Sequence, residues 1–170
     1  MKKFALLVAS LLLLGGCGYH APGGADHWVG QGGRTLYIGL FANRTVEPYL
    51  DNVVTGEVSR QFSRSRLVEL IENRTAADLR LEGAVTGFAS TAEAYDVNDD
   101  ISEYTALMTV RASLIRCSDG TVLWQGDFSR SQSYPAVADK SLQQEGKSLA
   151  AQVVARRIAE DLMARMMTTF

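Results

Sequence analysis

The sequence predicts an α+β fold: a two-layer sandwich in which one mostly antiparallel, mixed sheet is covered on one face by two α-helices. Three observations predict it. Apolar and polar residues alternate with period two over long segments between 79 and 130, two further segments carry apolar residues at helical spacing, and short strand patterns flank the first of those helices. The element order is β-α-β-β-β-β-α.

Leu36, Ile38 and Leu40 alternate with Thr35, Tyr37 and Gly39, as in a half-buried strand. Asn43-Arg44-Thr45 then turns the chain, and Pro48 suits the first turn of a helix over about 48–65. Leu50, Val53, Val54, Val58 and Phe62 form its apolar stripe, with Asp51, Glu57, Arg60 and Arg64 off it. Leu67 to Ile71 is a short strand, and a strand-helix-strand unit of this length favours a parallel pair.

Three longer strands follow. In 79–88 one face carries Leu79, Leu81, Gly83, Val85 and Gly87; in 104–117 it carries Ala106, Met108, Val110, Ala112 and Leu114; in 121–130 it carries Val122, Trp124, Gly126 and Phe128. The alternate residues are polar, so the sheet has one face for a core and one for water. Ser118-Asp119-Gly120 predicts a tight hairpin between the last two strands, and Asp96 to Glu103 a polar loop between the first two. Gln143 to Met167 is a long helix whose inner stripe is Ala151, Val154, Ala155, Ile158, Leu162 and Met166. Residues 35–170 form a single domain.

Ahead of that domain, residues 1–16 have the layout of a secretory signal: Lys2 and Lys3, an apolar run from Phe4 to Leu14, then two glycines. The run is too short to span ~30 Å of hydrocarbon, which needs about 20 helical residues. Leu14-Gly15-Gly16-Cys17 resembles the lipobox of bacterial lipoproteins, which implies cleavage before Cys17 and its lipidation. Two or more acyl chains hold a protein stably on a bilayer. Gly18, in place of an acidic residue, favours delivery to the outer membrane. Residues 17–34 comprise the lipidated cysteine and a flexible tether rich in glycine. Cys117 is then expected to be a free, buried strand residue.

The formal net charge of −2 falls further once Lys2 and Lys3 are removed, which excludes a polybasic nucleic-acid binder. His20 and His27 both lie in the tether, so neither a metal site nor a Ser-His-Asp or Cys-His arrangement is expected. Phosphate-cradling and dinucleotide-binding glycine motifs are absent from the sequence. The expectation is a non-enzymatic protein without a cofactor.

Several stretches together carry a family resemblance: GCGYH at the acylation site, LYIGLFANRTVEPYLDNVVTGEVSRQF for the first strand and helix, LRLEGAVTGF, EYTALMTVRASL, and VLWQGDFSRSQSY before the last helix. In their order the chain resembles LptE, the lipopolysaccharide-assembly lipoprotein family. The resemblance implies a lipid-anchored protein on the periplasmic side of the outer membrane. It implies too that the domain plugs the lumen of the large LptD β-barrel, assists its folding and supports lipopolysaccharide export. Candidate contacts to lipopolysaccharide phosphates are Arg80 and Arg111 on the polar face of the long strands, Arg116 near the hairpin, and Lys140 in the loop before the final helix. An outer-membrane lipoprotein that activates a cell-wall synthase is the alternative. The seventeen residues from Gly18 to Arg34 span only ~20–25 Å as a flexible chain, which favours a partner in the same membrane.

Overall fold

The computed structural model describes residues 35–65 and 68–168. The expectations for Cys17, the signal segment, the tether and Leu67 lie outside them. The chain runs β1 (Thr35–Ile38), β2 (Ala42–Asn43), α1 (Leu50–Ser63), β3 (Glu69–Leu70), β4 (Leu79–Tyr95), β5 (Ile101–Arg116), β6 (Val122–Pro135) and α2 (Lys140–Thr168). The strands form one mixed sheet in the order β3-β1-β4-β5-β6, with β2 paired to β4. β1 lies parallel to β3 and β4, while β4, β5 and β6 form an antiparallel meander. The expected α+β sandwich is the observed one, with β2 added.

Both helices pack on one face of this sheet. Leu81, Met108, Val110 and Leu114 from the strands meet Val54 and Val58 of α1 and Val154, Ile158 and Leu162 of α2 in a core where each is fully buried. Burying such a side chain contributes about 1.5–3 kcal/mol. The whole expected stripe of α2, from Ala151 to Met166, lies in this core. α2 begins at Lys140 rather than Gln143 because Asp139 caps it: its Oδ1 accepts from the N–H groups of Ser141 and Leu142 at 2.8 and 3.1 Å.

α1 begins at Leu50, so Pro48 precedes the helix instead of sitting in its first turn. The residue at the N-cap, Tyr49, is left-handed with φ 66° and caps nothing with its side chain. The turn ahead of it is held by Asn43, whose Oδ1 accepts from Thr45 N–H at 3.0 Å and whose Nδ2 donates to the Glu47 carbonyl at 2.7 Å. Glu57, expected off the apolar stripe, is buried and holds Arg60 through both carboxylate oxygens.

Within the segments 35–41, 79–88 and 121–130, three breaks of phase separate the observed faces from a strict alternation. β1 ends at Ile38, Leu40 is 64 % exposed, and Phe41 takes the buried place expected for it. Gly83 explains the exchange: a Cβ there would stand 2.2 Å from the Phe41 ring, so only glycine admits the ring against β4. In β4 a bulge between Val85 and Gly87 sets Gly87 opposite Thr109 on the polar face and brings Phe88 opposite Met108 on the covered face. In β6 a second register shift lies at Leu123, so Val122 is exposed while Trp124 and Phe128 face the core.

The strands are also longer than expected. β4 runs to Tyr95, β5 starts at Ile101 and β6 reaches Pro135, so the polar loop shrinks to a turn over 96–100. There Asp96 Oδ1 accepts from Asn98 and Asp100 N–H groups, and Asp99 is left-handed. These backbone donors hold the Asp96 carboxyl below its ordinary pKa. At the other end the expected hairpin closes through Gly120 at φ 72°, with Asp119 accepting from Thr121 N–H. Cys117 is free but only half-buried, and it belongs to this turn and not to the strand.

Candidate functional site

The sheet face turned away from the helices carries rows of polar side chains. Because β5 and β6 pair in register, their outward residues meet in rows: Thr105 with Ser133, Thr109 with Ser129, and Arg111 with Asp127. The hydroxyls of the first two rows stand 3.0 and 3.2 Å apart. In the third, Arg111 donates from Nε and Nη2 to the two oxygens of Asp127 at 2.7 and 3.0 Å. This two-pronged bond raises the Arg111 pKa and lowers that of Asp127, the hydrogen bonds first and the charge attraction adding to them.

The four candidate ligand residues do not meet at one place. Arg80 and Arg111 share the open face, as expected. Arg80 Nε lies 2.8 Å from Glu82, at ion-pair distance without the angle of a hydrogen bond, and Arg74 approaches the same carboxylate at 3.4 Å. Arg116 stands opposite Leu79 and two residues beyond Leu114, on the covered side, and its guanidinium pairs with Asp119 at 3.1 Å. Asp119 has a lowered pKa, mainly from the Thr121 N–H and then from Arg116. Lys140 is exposed in the first turn of α2 and has no ion-pair partner among the described residues. That turn follows Pro135, which pairs with Glu103, so Lys140 sits near the far end of β5, about 20 Å or more from Arg111 at ~3.4 Å per residue.

At that far end Tyr104 stacks on Tyr134 with ring centres 5.7 Å apart, and the Tyr134 hydroxyl bonds Ser90 Oγ at 2.6 Å. Lys147 of α2 lies 5.7 Å over the Phe88 ring and pairs with Glu47, tying α2 to the loop before α1. A cleft of ≈ 640 Å³ opens beyond, lined by Tyr95, Asp100, Ile101, Tyr104, Val137 and Gln143.

One charged grouping escaped the sequence reading. Arg157, Asp161 and Arg165 recur every four residues along α2 and so share one face of it. Asp161 pairs with Arg130 of β6 at 2.7 Å, and Arg157 donates to the Ser131 carbonyl at 3.2 Å. The spacing was visible in the sequence, whereas the neighbouring strand was not. No described helix is long and apolar enough to cross a membrane. Among the described residues no group of three His, Cys, Asp or Glu side chains could hold a metal.

Comparison with known proteins gives a consistent picture. The domain has the fold of rare lipoprotein B from Shewanella oneidensis, with 12% identity and a TM-score of 0.53 over 79% of this chain and 95% of that one. It is similar to an uncharacterized lipoprotein B from Nitrosomonas europaea, at 8% identity and TM-score 0.56 over 81% and 84%. It is similar too to a hypothetical protein from Chlamydia trachomatis, at 12% identity and TM-score 0.57 over 78% and 95%. At such identities these likenesses establish the fold alone. No curated protein sequence matches the chain. The model of the lipopolysaccharide-assembly family LptE matches residues 33–169, from just before β1 through α2. With its whole α+β domain inside that match, the chain belongs to the LptE family of lipopolysaccharide-assembly lipoproteins.

Proposed function

We propose that this protein is an outer-membrane lipoprotein, anchored through Cys17, that plugs the lumen of an LptD-like β-barrel, assists its assembly and supports lipopolysaccharide export. Family membership is the observation that carries the reading. The open face of the sheet supports it. A large barrel has a polar, water-filled lumen, and a face built from Thr105, Thr109, Arg111, Asp127, Ser129 and Ser133 suits such surroundings. The tether between Cys17 and β1 is short, with a root-mean-square span of ~20–25 Å as a flexible chain, which favours a partner in the same membrane.

The test is purification of the tagged, full-length chain from envelopes in mild detergent without crosslinking. A large β-barrel should come with it in near-equal amount. Recovery of the chain alone, or with a cell-wall synthase in place of a barrel, would refute the reading.

Lipopolysaccharide phosphates belong to this proposal as single contacts and not as one cluster. A phosphate that takes Arg111 displaces Asp127, and one that takes Arg116 displaces Asp119. Lys140 has no carboxylate to displace, so it is the readiest of the four. Binding of lipopolysaccharide to the lipidated chain should weaken with salt, and Lys140→Glu should weaken it more than Arg111→Glu. Equal binding by all three proteins at low salt would remove both residues from the site.

A further inference from the structure

The outer edge of β1 is only half covered. β3 pairs with Thr35 and Leu36 and goes no further, and beyond that pairing Ile71 N–H donates to the Leu36 carbonyl at 3.0 Å. Gly39 N–H turns the other way, to the Leu81 carbonyl of β4, so strand alternation points the N–H and C=O of Ile38 outward past the end of β3. No described residue takes either group. Beside them lies a hollow of ≈ 420 Å³ between β1, α1 and the chain leaving β3. Its walls are the half-buried side chains of Tyr37, Ile38, Leu70 and Ile71, with Ser59 of α1 and the exposed Glu72 completing it.

Mostly apolar walls with one free backbone acceptor suit a large ring that carries a single donor, which describes an indole. The chain holds one close at hand. Trp28-Val29 is the one adjacent pair of large apolar residues in 18–34, and Gly30, Gly32 and Gly33 stand between it and β1. The seven residues from Trp28 to Thr35 span about 13–16 Å as a glycine-rich chain, while Ile38 stands about 10 Å into β1 at ~3.3 Å per residue. The hollow is therefore within reach. A group held so near is presented at an effective concentration on the order of mM, which favours the chain's own Trp28 over that of a second copy. We propose that Trp28 seats in this hollow, its ring against Ile38, Leu70 and Ile71 and its indole N–H donating to the Ile38 carbonyl. The seating leaves ten residues, Gly18–His27, between Cys17 and the docked ring, about 16–19 Å as a chain. With Cys17 anchored as proposed above, it turns the β3–α1 edge of the domain toward the membrane. The seating itself is independent of the barrel reading, since it rests on the β1 edge and not on the open face.

The experiment uses the full-length chain in phosphatidylcholine vesicles and two readouts. The first is amide exchange of wild type against Trp28→Gly, a substitution outside the α+β domain. Exchange should quicken several-fold at Ile38 and along 70–72, where the ring would be lost, and stay unchanged along 108–114. The second is fluorine resonance of the chain labelled with 5-fluorotryptophan, in which Trp28→Gly assigns the two signals. Trp124, 7% exposed, is the internal standard for a buried indole. A water-soluble paramagnetic chelate and a nitroxide-labelled lipid should each broaden the Trp28 signal no more than that of Trp124. Equal exchange in the two proteins would overturn the proposal. So would broadening of Trp28 by the chelate, which places the ring in water, or by the labelled lipid, which places it in the bilayer interface where tryptophan also settles.

Discussion

Near the β5–β6 turn, residues 79–85, 108–114 and 124–128 lie under both helices, and the covered side chains are Leu79, Leu81, Met108, Val110, Leu114 and Trp124. Toward the other end of the same strands the covered cluster is Ala106, Tyr134 and Ala150 with Phe88 and Tyr104 beside it. The first region has large apolar side chains, whose burial stabilises by ~25 cal/mol per Å². The second has small residues, hydroxyls and stacked tyrosines, so burial there stabilises less. One continuous sheet thus serves as a stable base at one end and a lightly covered, polar extension at the other. A region that opens more readily is where partners and ligands are commonly met.

The largest break of this comparison is Trp124→Ala. The indole is 7% exposed and packs at 5.6 Å against Phe128. Truncation should cost about 3–5 kcal/mol, seen as a large loss of denaturant midpoint. A midpoint close to wild type would mean that the base does not depend on this strand.

Next comes Gly83→Ala. The added methyl meets the Phe41 ring at 2.2 Å and the Arg111 carbonyl at 2.6 Å. Overpacking of this kind costs about 1–3 kcal/mol, more where backbone is in the way. Phe41→Leu in the same chain should restore part of the loss, because a smaller side chain clears the new methyl. Failure of that rescue would show that the strain comes from the Arg111 carbonyl.

Tyr134→Phe probes the extension. It deletes the hydroxyl that bonds Ser90 and keeps the stacked ring on Tyr104. The expected cost is about 0.5–1.5 kcal/mol. Amide exchange should quicken along 101–107 and 129–135 while the base stays protected. Equal quickening along 108–114 would show that the two ends open as one unit.

These regions were unequally legible in the sequence. The stripe of α2 and the inward face of β5 follow strict periods, and both are observed residue for residue. Phe41 and Leu40 exchanged places because the deciding residue, Gly83, is distant in sequence and acts by lacking a side chain. Bulges obscured the rest. Counted back from Ile115 opposite Val122, an even hairpin would set Arg111 opposite Gly126. The shift at Leu123 sets it opposite Asp127 instead. One inserted residue therefore converts a candidate phosphate-binding arginine into half of an ion pair, and alternation alone cannot reveal that. Arg116 needs no bulge: it continues the alternation of Met108 to Leu114 and lies opposite Leu79, not beside Arg80.

The smallest expected effect concerns that pair, on the open face above the base. Arg111 and Asp127 are both about half exposed, so solvent screening leaves their bond a minor contributor at neutral pH. Its pH dependence nonetheless has a definite sign. The folded Asp127 carboxyl titrates below its ordinary value because Arg111 holds the ionised form. The stabilisation is therefore fully present above the ordinary carboxylate pKa of about 3.9 and is lost as the pH falls through the lower, folded value. Thermal melts of wild type and Asp127→Asn should differ slightly at pH 7, equally at pH 5.5, and converge only on acidification below pH ~4. Asp96 and Asp119 are lowered by their own turns and remain in both proteins, so they cancel from the difference. A gap that stays constant into strong acid would mean that the substitution disturbs the sheet itself and that the guanidinium holds no charge-dependent bond. A gap that closes already near neutrality would place the lost group elsewhere, since a carboxylate held by an arginine takes up its proton only below its ordinary pKa.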